Sequence, residues 1–268
     1  MTTRRIAPAA TRSIAFLVAV VVLMTGCSSS GGKTYVIGTS ADFPPMEFRD
    51  PNHPGQFQGF EIDMVKAMMG HLGWKYSYRD TKFDGLLPAV QAGQVDMVVS
   101  DVYDTATREA VVDFVDYVQS GLSVMVAAQN GSSVTGYMDL CGKSLGVLTG
   151  SPAEADIGKK ADSDCTAAGK PGITVQSFPA VSDELPQLDN GRLFAILEDV
   201  FSLSYVQKQN AAKYKVVFQD PGLTKSGIVL KKGSSLKSDL ESAFKWYSSS
   251  DQYAKDLAKW GLPASAKI

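Results

Sequence analysis

The sequence predicts an α/β chain folded as two units with a cleft between them. Short β-rich runs alternate with stretches of helical spacing between Tyr35 and Val99, and the alternation starts again after Val124. Turn residues punctuate the runs throughout. Alternation of this kind argues for mostly parallel strands, whose ligands gather outside their carboxyl ends.

The first unit opens with a β-rich run, Tyr35 to Thr39, followed by a turn governed by Pro44 and Pro45. In GFEIDMVKAMMGHLGW the apolar residues Ile62, Val65, Met69 and Leu72 fall on one helical face, and Gly73 is the stop signal. A strand over Lys75–Tyr78, a helix over Phe83–Ala92 and a strand over Val95–Val99 complete this half. The second unit runs through KSLGVLTGS, a helix from Pro152, the strand ITVQSF, a helix over Ser182–Asn190 and a strand over Phe194–Leu197.

The chain start has a separate logic. Arg4, Arg5 and Arg12, with no acid among them, precede the unbroken apolar run Ile14 to Met24. That order is the layout of a signal peptide. A spanning helix needs roughly 20 apolar residues to cross a hydrocarbon layer about 30 Å thick, so this run is too short to remain as an anchor. It ends in LMTGC, which resembles the lipobox of bacterial lipoproteins, with Met24 where Leu is usual. The resemblance implies cleavage after residue 26, lipidation at Cys27, an extracytoplasmic location and a lipid anchor to the membrane. The polar stretch SSSGGK then serves as a tether, residues 27–33 in all.

Three of the 26 basic residues lie in the leader, so the remaining 23 face all 28 acids. That balance gives no basic patch for nucleic acid. The two histidines, His53 and His71, are not at ligand spacing with a cysteine, so no metal site is expected. Cys141 and Cys165 form an even pair in a chain bound for an oxidising compartment, and a disulfide between them is expected; two buried free thiols are the alternative.

Five motifs in order carry a resemblance. They are GFEIDMVKAM from Gly59, FDGLLPAVQAGQVDMVVS from Phe83, TATREAVVDFVDY from Thr105, GRLFAILED ending at Asp199, and the C-terminal DQYAKDLAKWGL. From Tyr35 to Leu262 the chain resembles a family 3 extracytoplasmic solute-binding protein of the polar-amino-acid class that serves ABC importers. The resemblance implies a periplasmic-binding-protein type II fold: residues 34–123 and 224–268 forming one lobe, 124–223 the other, and glycine-bearing hinges near Ser120–Val124 and Pro221–Ile228. It implies a monomer with an importer permease as its partner, no cofactor and no catalytic residue.

Carried over by position, the resemblance puts Arg108 on the ligand's carboxylate and Asp199 on its α-ammonium, with Phe43 and Phe83 covering the stem. A guanidinium suits that task because its planar fork donates two parallel hydrogen bonds and stays charged. Three departures bear on the ligand. Ser40 stands where relatives often have an aspartate, and the nearest acid is Asp42. Asp101 and Tyr103 replace small or hydroxyl residues ahead of Arg108. In GSPAE, Gly150 and Ser151 are followed by Pro152, which has no N–H to offer an anion. The implied ligand has one carboxylate and at least one ammonium, Asp101 serving a second positive group or replacing the acid absent at position 40. The alternative is that Asp101 and Tyr103 point away from the ligand. A ligand sensor without transport, and a catalyst on the same fold, are the rival functions.

Overall fold

The computed structural model describes residues 1–3, 33–220 and 222–268. The leader, the lipobox with Cys27, most of the tether and Pro221 lie outside the described residues. Among the described residues no helix is long and apolar enough to cross a membrane.

The chain forms β1 (Thr34–Thr39), β2 (Asp42–Phe43), β3 (Glu47–Arg49), β4 (Phe57–Gln58), α1 (Phe60–Leu72), β5 (Lys75–Asp80), α2 (Leu86–Gln91), β6 (Met97–Val98), α3 (Ala106–Glu109) and β7 (Val112–Ser120). It continues through β8 (Leu122–Ala127), β9 (Ser144–Leu148), α4 (Lys159–Ala167), β10 (Thr174–Phe178), α5 (Val181–Asp189), β11 (Ala195–Asp199), α6 (Val200–Gln209) and β12 (Tyr214–Gln219). It ends with β13 (Thr224–Lys231), α7 (Lys237–Ser248) and α8 (Asp251–Trp260).

The first lobe's sheet has the order β5-β1-β6-β13-β7 and the second lobe's β10-β9-β11-β8-β12. Each is parallel apart from one strand, β13 in the first and β8 in the second. The odd strand has a topological cause: it is the one that arrives directly from the other lobe, β8 straight after β7 and β13 straight after β12. Gly121 is the whole of the first crossing, and a Cβ there would lie 2.6 Å from the Gly222 carbonyl of the second. Only glycine lets the two crossings run side by side. The chain thus enters the second sheet at Leu122, two residues ahead of the boundary expected at 124.

In the first lobe α1 packs Met64, Val65, Met68 and Met69 against Ile37 of β1 and against Tyr247, Tyr253 and Leu257 of α7 and α8. The expected stripe is corrected in register, since Ile62 and Leu72 are only half-buried while Glu61 and Met64 are fully buried. The return helices, lying on α1, turn its buried face. Truncating one of these methionines to alanine costs roughly 2–5 kcal/mol at such a site. The second lobe's core joins Val124 and Val126 to Leu145, Val147, Ala195 and Leu197. Cys141 and Cys165 are bonded, with Cα atoms 5.5 Å apart, tying α4 to the segment that leads into β9.

Other expected elements differ at their ends. The helix expected over Phe83–Ala92 begins as a 3₁₀ turn, Phe83–Gly85, and the strand expected over Val95–Val99 is reduced to β6. The helix from Pro152 opens with a π-helical turn, Ala153–Gly158, before α4. A small antiparallel sheet, β2-β3-β4, sits beside the first lobe and carries Glu47 inward until it is 1% exposed.

Candidate ligand-binding cleft

The cleft forms where strands of both lobes end. From the first lobe, β1 runs out into Ser40, Asp42 and Phe43, and β6 into Ser100, Asp101 and Tyr103; from the second, β9 delivers Leu148 and Ser151, and β11 delivers Glu198 and Asp199. This is the carboxyl-end placement that parallel sheets favour.

Asp199 accepts from three donors. Its Oδ1 accepts the Phe201 N–H at 2.6 Å, capping α6, and its Oδ2 accepts the Tyr103 hydroxyl at 2.6 Å and the Ser120 hydroxyl. Burial raises its pKa, and these three hydrogen bonds oppose the rise. Tyr103 is itself held to β13 by a bridge to Ser226.

Asp101 is the opposite case. It adopts φ 43°, the left-handed region that a non-glycine residue seldom enters, and it is 6% exposed. Its N–H donates to Glu61 Oε1 at 2.7 Å, yet neither carboxylate oxygen has a hydrogen-bond partner. Burial first, then the charges of Asp199 and Glu61, push its pKa well above the ordinary carboxylate range, against the opposing pull of the nearby Ser226 hydroxyl and the Arg108 guanidinium.

More acids stand behind these two. Ser100 Oγ accepts the Ser40 N–H at 2.9 Å and donates to Glu47 Oε1 at 2.7 Å. Glu61 accepts the Tyr117 hydroxyl, and burial lifts its pKa to about 7. In the second lobe Glu198 Oε1 accepts the Leu148 N–H at 2.5 Å, and burial raises its pKa to about 8. Glu184 lies wholly buried beside it, its carboxyl raised by burial and by Glu198. Burial also raises Glu47, with Glu61 adding to it. Carboxyls crowded out of water in this way retain protons that exposed ones would release.

Arg108 straps the lobes together. Its Nη1 donates to the Tyr103 carbonyl and its Nη2 to the Gly150 carbonyl across the cleft, both at 2.9 Å, and the guanidinium lies 5.6 Å from the centre of the Phe83 ring. Burial lowers its pKa to about 10, which leaves it charged at neutral pH. A further link runs from the Ser182 hydroxyl to Asp42 Oδ2 at 3.1 Å.

Residues 35–263 match the model of bacterial extracellular solute-binding proteins, family 3. The chain belongs to this family. The arginine-binding protein ArgT of Corynebacterium glutamicum is 28% identical over 225 residues, covering 84% of this chain and 73% of that protein. An ancestral arginine-binding protein bound to arginine superposes with a TM-score of 0.76 at 33% identity, covering 85% of this chain and 97% of that one. An ancestral amino acid-binding protein that is a precursor of cyclohexadienyl dehydratase superposes with a TM-score of 0.76 at 28% identity, covering 85% and 95%.

In this family 3 solute-binding protein Ser40, Asp42, Phe43, Phe83, Asp101, Tyr103, Ser151 and Asp199 all line one cavity, together with Pro152. Arg108 and Gly150 do not form its wall; they are bonded to one another beside it. Sequence reasoning missed Glu47, Glu61, Ser100, Ser120, Glu184 and Glu198. A signal existed for Glu198, which closes the apolar run Leu193–Leu197. Among the described residues no group of three His, Cys, Asp or Glu side chains is placed to hold a metal.

Proposed function

We propose that this protein is an extracytoplasmic lipoprotein, anchored at Cys27, that captures a positively charged amino acid or amino-acid derivative between its lobes and delivers it to the permease of an ABC importer. The observation that carries the reading is Asp101, a buried carboxyl whose oxygens accept no hydrogen bond, in a wall that also holds Asp199, Glu198 and Glu47 and no basic side chain. A cation entering such a wall favours ionisation of these carboxyls and gains from their charge. The arginine-binding relatives agree with that preference. Closure follows from binding, because a ligand touching Asp101 on one lobe and Glu198 on the other stabilises the closed form by its differential affinity.

A thermal-shift screen over amino acids, opines, betaines and polyamines tests the reading, since a ligand that prefers the native state raises the melting temperature by mass action. Failure of every amine-bearing compound to raise it would refute the assignment.

One observation favours catalysis as a second reading. Glu198, in the cavity wall with a pKa of about 8, lies where a general acid can work, and one structural relative is a precursor of a dehydratase. Chemical change of a bound solute, followed by mass spectrometry, distinguishes the two.

A further inference from the structure

We propose that Glu198, with Glu184 behind it, forms a second-lobe subsite for the distal positive group of a basic amino acid, and that Glu184 sets the preference for that group. The proposal rests on the cationic reading above and deepens it, leaving the α-carboxylate and α-ammonium to the end of the cleft that Arg108 and Asp199 serve.

The acids of the cleft divide between its two ends. Asp101 feels the charges of Asp199 and Arg108, and Tyr103 joins those two residues through its hydroxyl and its carbonyl. Glu198 stands apart: besides the Leu148 N–H, the groups that act on it are Asp199, its neighbour in the chain, and Glu184. Successive side chains of a strand point to opposite faces, so Glu198 follows Ile196 toward α5 while Asp199 turns to Tyr103. An apolar passage joins the two ends. It runs from Phe83, whose ring lies 5.6 Å from the Arg108 guanidinium, past Phe43 and Val181 to Leu148, whose N–H donates to Glu198. The methylene stem of a basic amino acid suits such a passage.

Glu184 is 0% exposed, and neither of its oxygens accepts a hydrogen bond. It reaches from α5 onto β9, where a Cβ at Gly146 would lie 3.7 Å from its Cδ, and Gly146 pairs with Ile196, two residues before Glu198 on β11. The charges that face it are Glu198 of β11, Asp42 of β2 and Asp183 of its own helix, all of one sign.

Two carboxyls held together out of water do not both ionise. Glu184 therefore keeps its proton and is the hydrogen-bond donor that stands behind Glu198. A cation arriving at Glu198 draws that carboxyl into its ionised form, its proton leaving to solvent, and the neutral Glu184 O–H stabilises the new charge. Without a ligand the pair is a burden on the fold, because buried carboxyls short of donors are less favourable than apolar groups of similar shape. Such a pair at a cavity wall is placed for a charged ligand group.

Matched probes test the subsite on the full chain by calorimetry: arginine against citrulline, lysine against norleucine and ornithine against norvaline, each neutral match keeping the α-groups and lacking the distal charge. At least one basic member should bind about tenfold or more tightly than its match. In Glu198→Gln that preference should fall to about twofold or less. Glu184→Leu should lose it too, while the unliganded variant melts no lower than the unaltered protein, and Glu184→Gln, which returns a neutral donor, should recover it. A preference that persists in Glu198→Gln overturns the subsite and leaves the cationic reading standing. Persistence in Glu184→Leu, or no recovery in Glu184→Gln, removes Glu184 as its donor. Failure of all three basic amino acids to bind, or equal binding of their neutral matches, overturns both readings.

Discussion

The Tyr103 hydroxyl donates to Asp199 Oδ2 at 2.6 Å, joining the segment beyond β6 of one lobe to the end of β11 in the other. The bond places a neutral donor on the acid that the family resemblance assigns to the ligand's α-ammonium. Tyr103→Phe leaves Asp199 with the Ser120 hydroxyl and the Phe201 N–H. Losing that partner should lower unfolding free energy by about 1–2 kcal/mol in urea titrations. The unliganded variant should also show a larger radius of gyration by small-angle scattering, as one clasp between the lobes is gone. An unchanged radius and unchanged stability would mean that this bond does not hold the lobes.

Arg108 supplies the next clasp. Arg108→Ala removes both the Tyr103 and Gly150 contacts and the cation over Phe83. Solute affinity should fall about thirtyfold or more, equivalent to about 2 kcal/mol. Arg108→Lys should not restore it, because one ammonium on a flexible stem does not reproduce a fork that reaches two carbonyls at once. Unchanged affinity in Arg108→Ala would show that Arg108 has no part in ligand capture.

Much of this was legible in the sequence, for physical reasons that can be named. The two α/β units show as alternating periods, and the C-terminal return shows because DQYAKDLAKWGL carries its apolar residues at helical spacing. Asp199, Tyr103 and Asp101 were placed at the cleft by the family resemblance, and they stand at or shortly beyond the ends of β11 and β6. The antiparallel β8 and β13 were not legible, since strand direction follows from where the chain crosses lobes and leaves no mark in composition. Glu61 was passed over because its neighbours read as a core face, and a buried carboxylate contradicts that reading until Asp101 N–H and Tyr117 appear beside it. The Arg108 to Gly150 strap joins residues 42 positions apart, a pairing to which local periodicity is blind.

Stability should fall as the solution becomes alkaline. Glu61 and Glu198 each rise from an ordinary 4.5, to about 7 and about 8, because burial disfavours their charged forms. Between the unfolded and folded values the native state holds protons that the unfolded chain has released, so unfolding free energy decreases with pH. The penalty is absent below about 4.5, grows through the window and is complete once pH exceeds about 8, with a slope of about 1.4 kcal/mol per pH unit for each group. Asp50, Asp113 and Asp139, whose pKa values are lowered by hydrogen bonds, act only in more acid solution. The unliganded protein should therefore melt lower at about pH 8.5 than at about pH 5.5, and Glu198→Gln should flatten the difference. A melting temperature that rises across this range would contradict the assignment.

The Cys141–Cys165 bond closes a segment with a sequence separation of 24. Constraining a loop of that size contributes about 3 kcal/mol, so the double Cys→Ser variant should lose stability of that order in denaturant titrations. Peptide mapping after alkylation without reductant should find neither cysteine labelled.

Anchoring has an equally direct readout. Cys27→Ser should move the protein from the membrane fraction to the soluble fraction, with loss of the lipid mass from the mature chain. An unaltered distribution would exclude a thioether-linked lipid at that position.

The central claim is that an acid-lined cleft selects a positively charged solute. Calorimetric titration of the unliganded protein with arginine, lysine and their decarboxylated amines, alongside glutamate and glutamine, tests it most directly. At least one of the cations should bind, with affinity that increases as pH rises and the wall carboxyls ionise, while glutamate gives no heat of binding. Saturable binding of glutamate with none of the cations bound would contradict it.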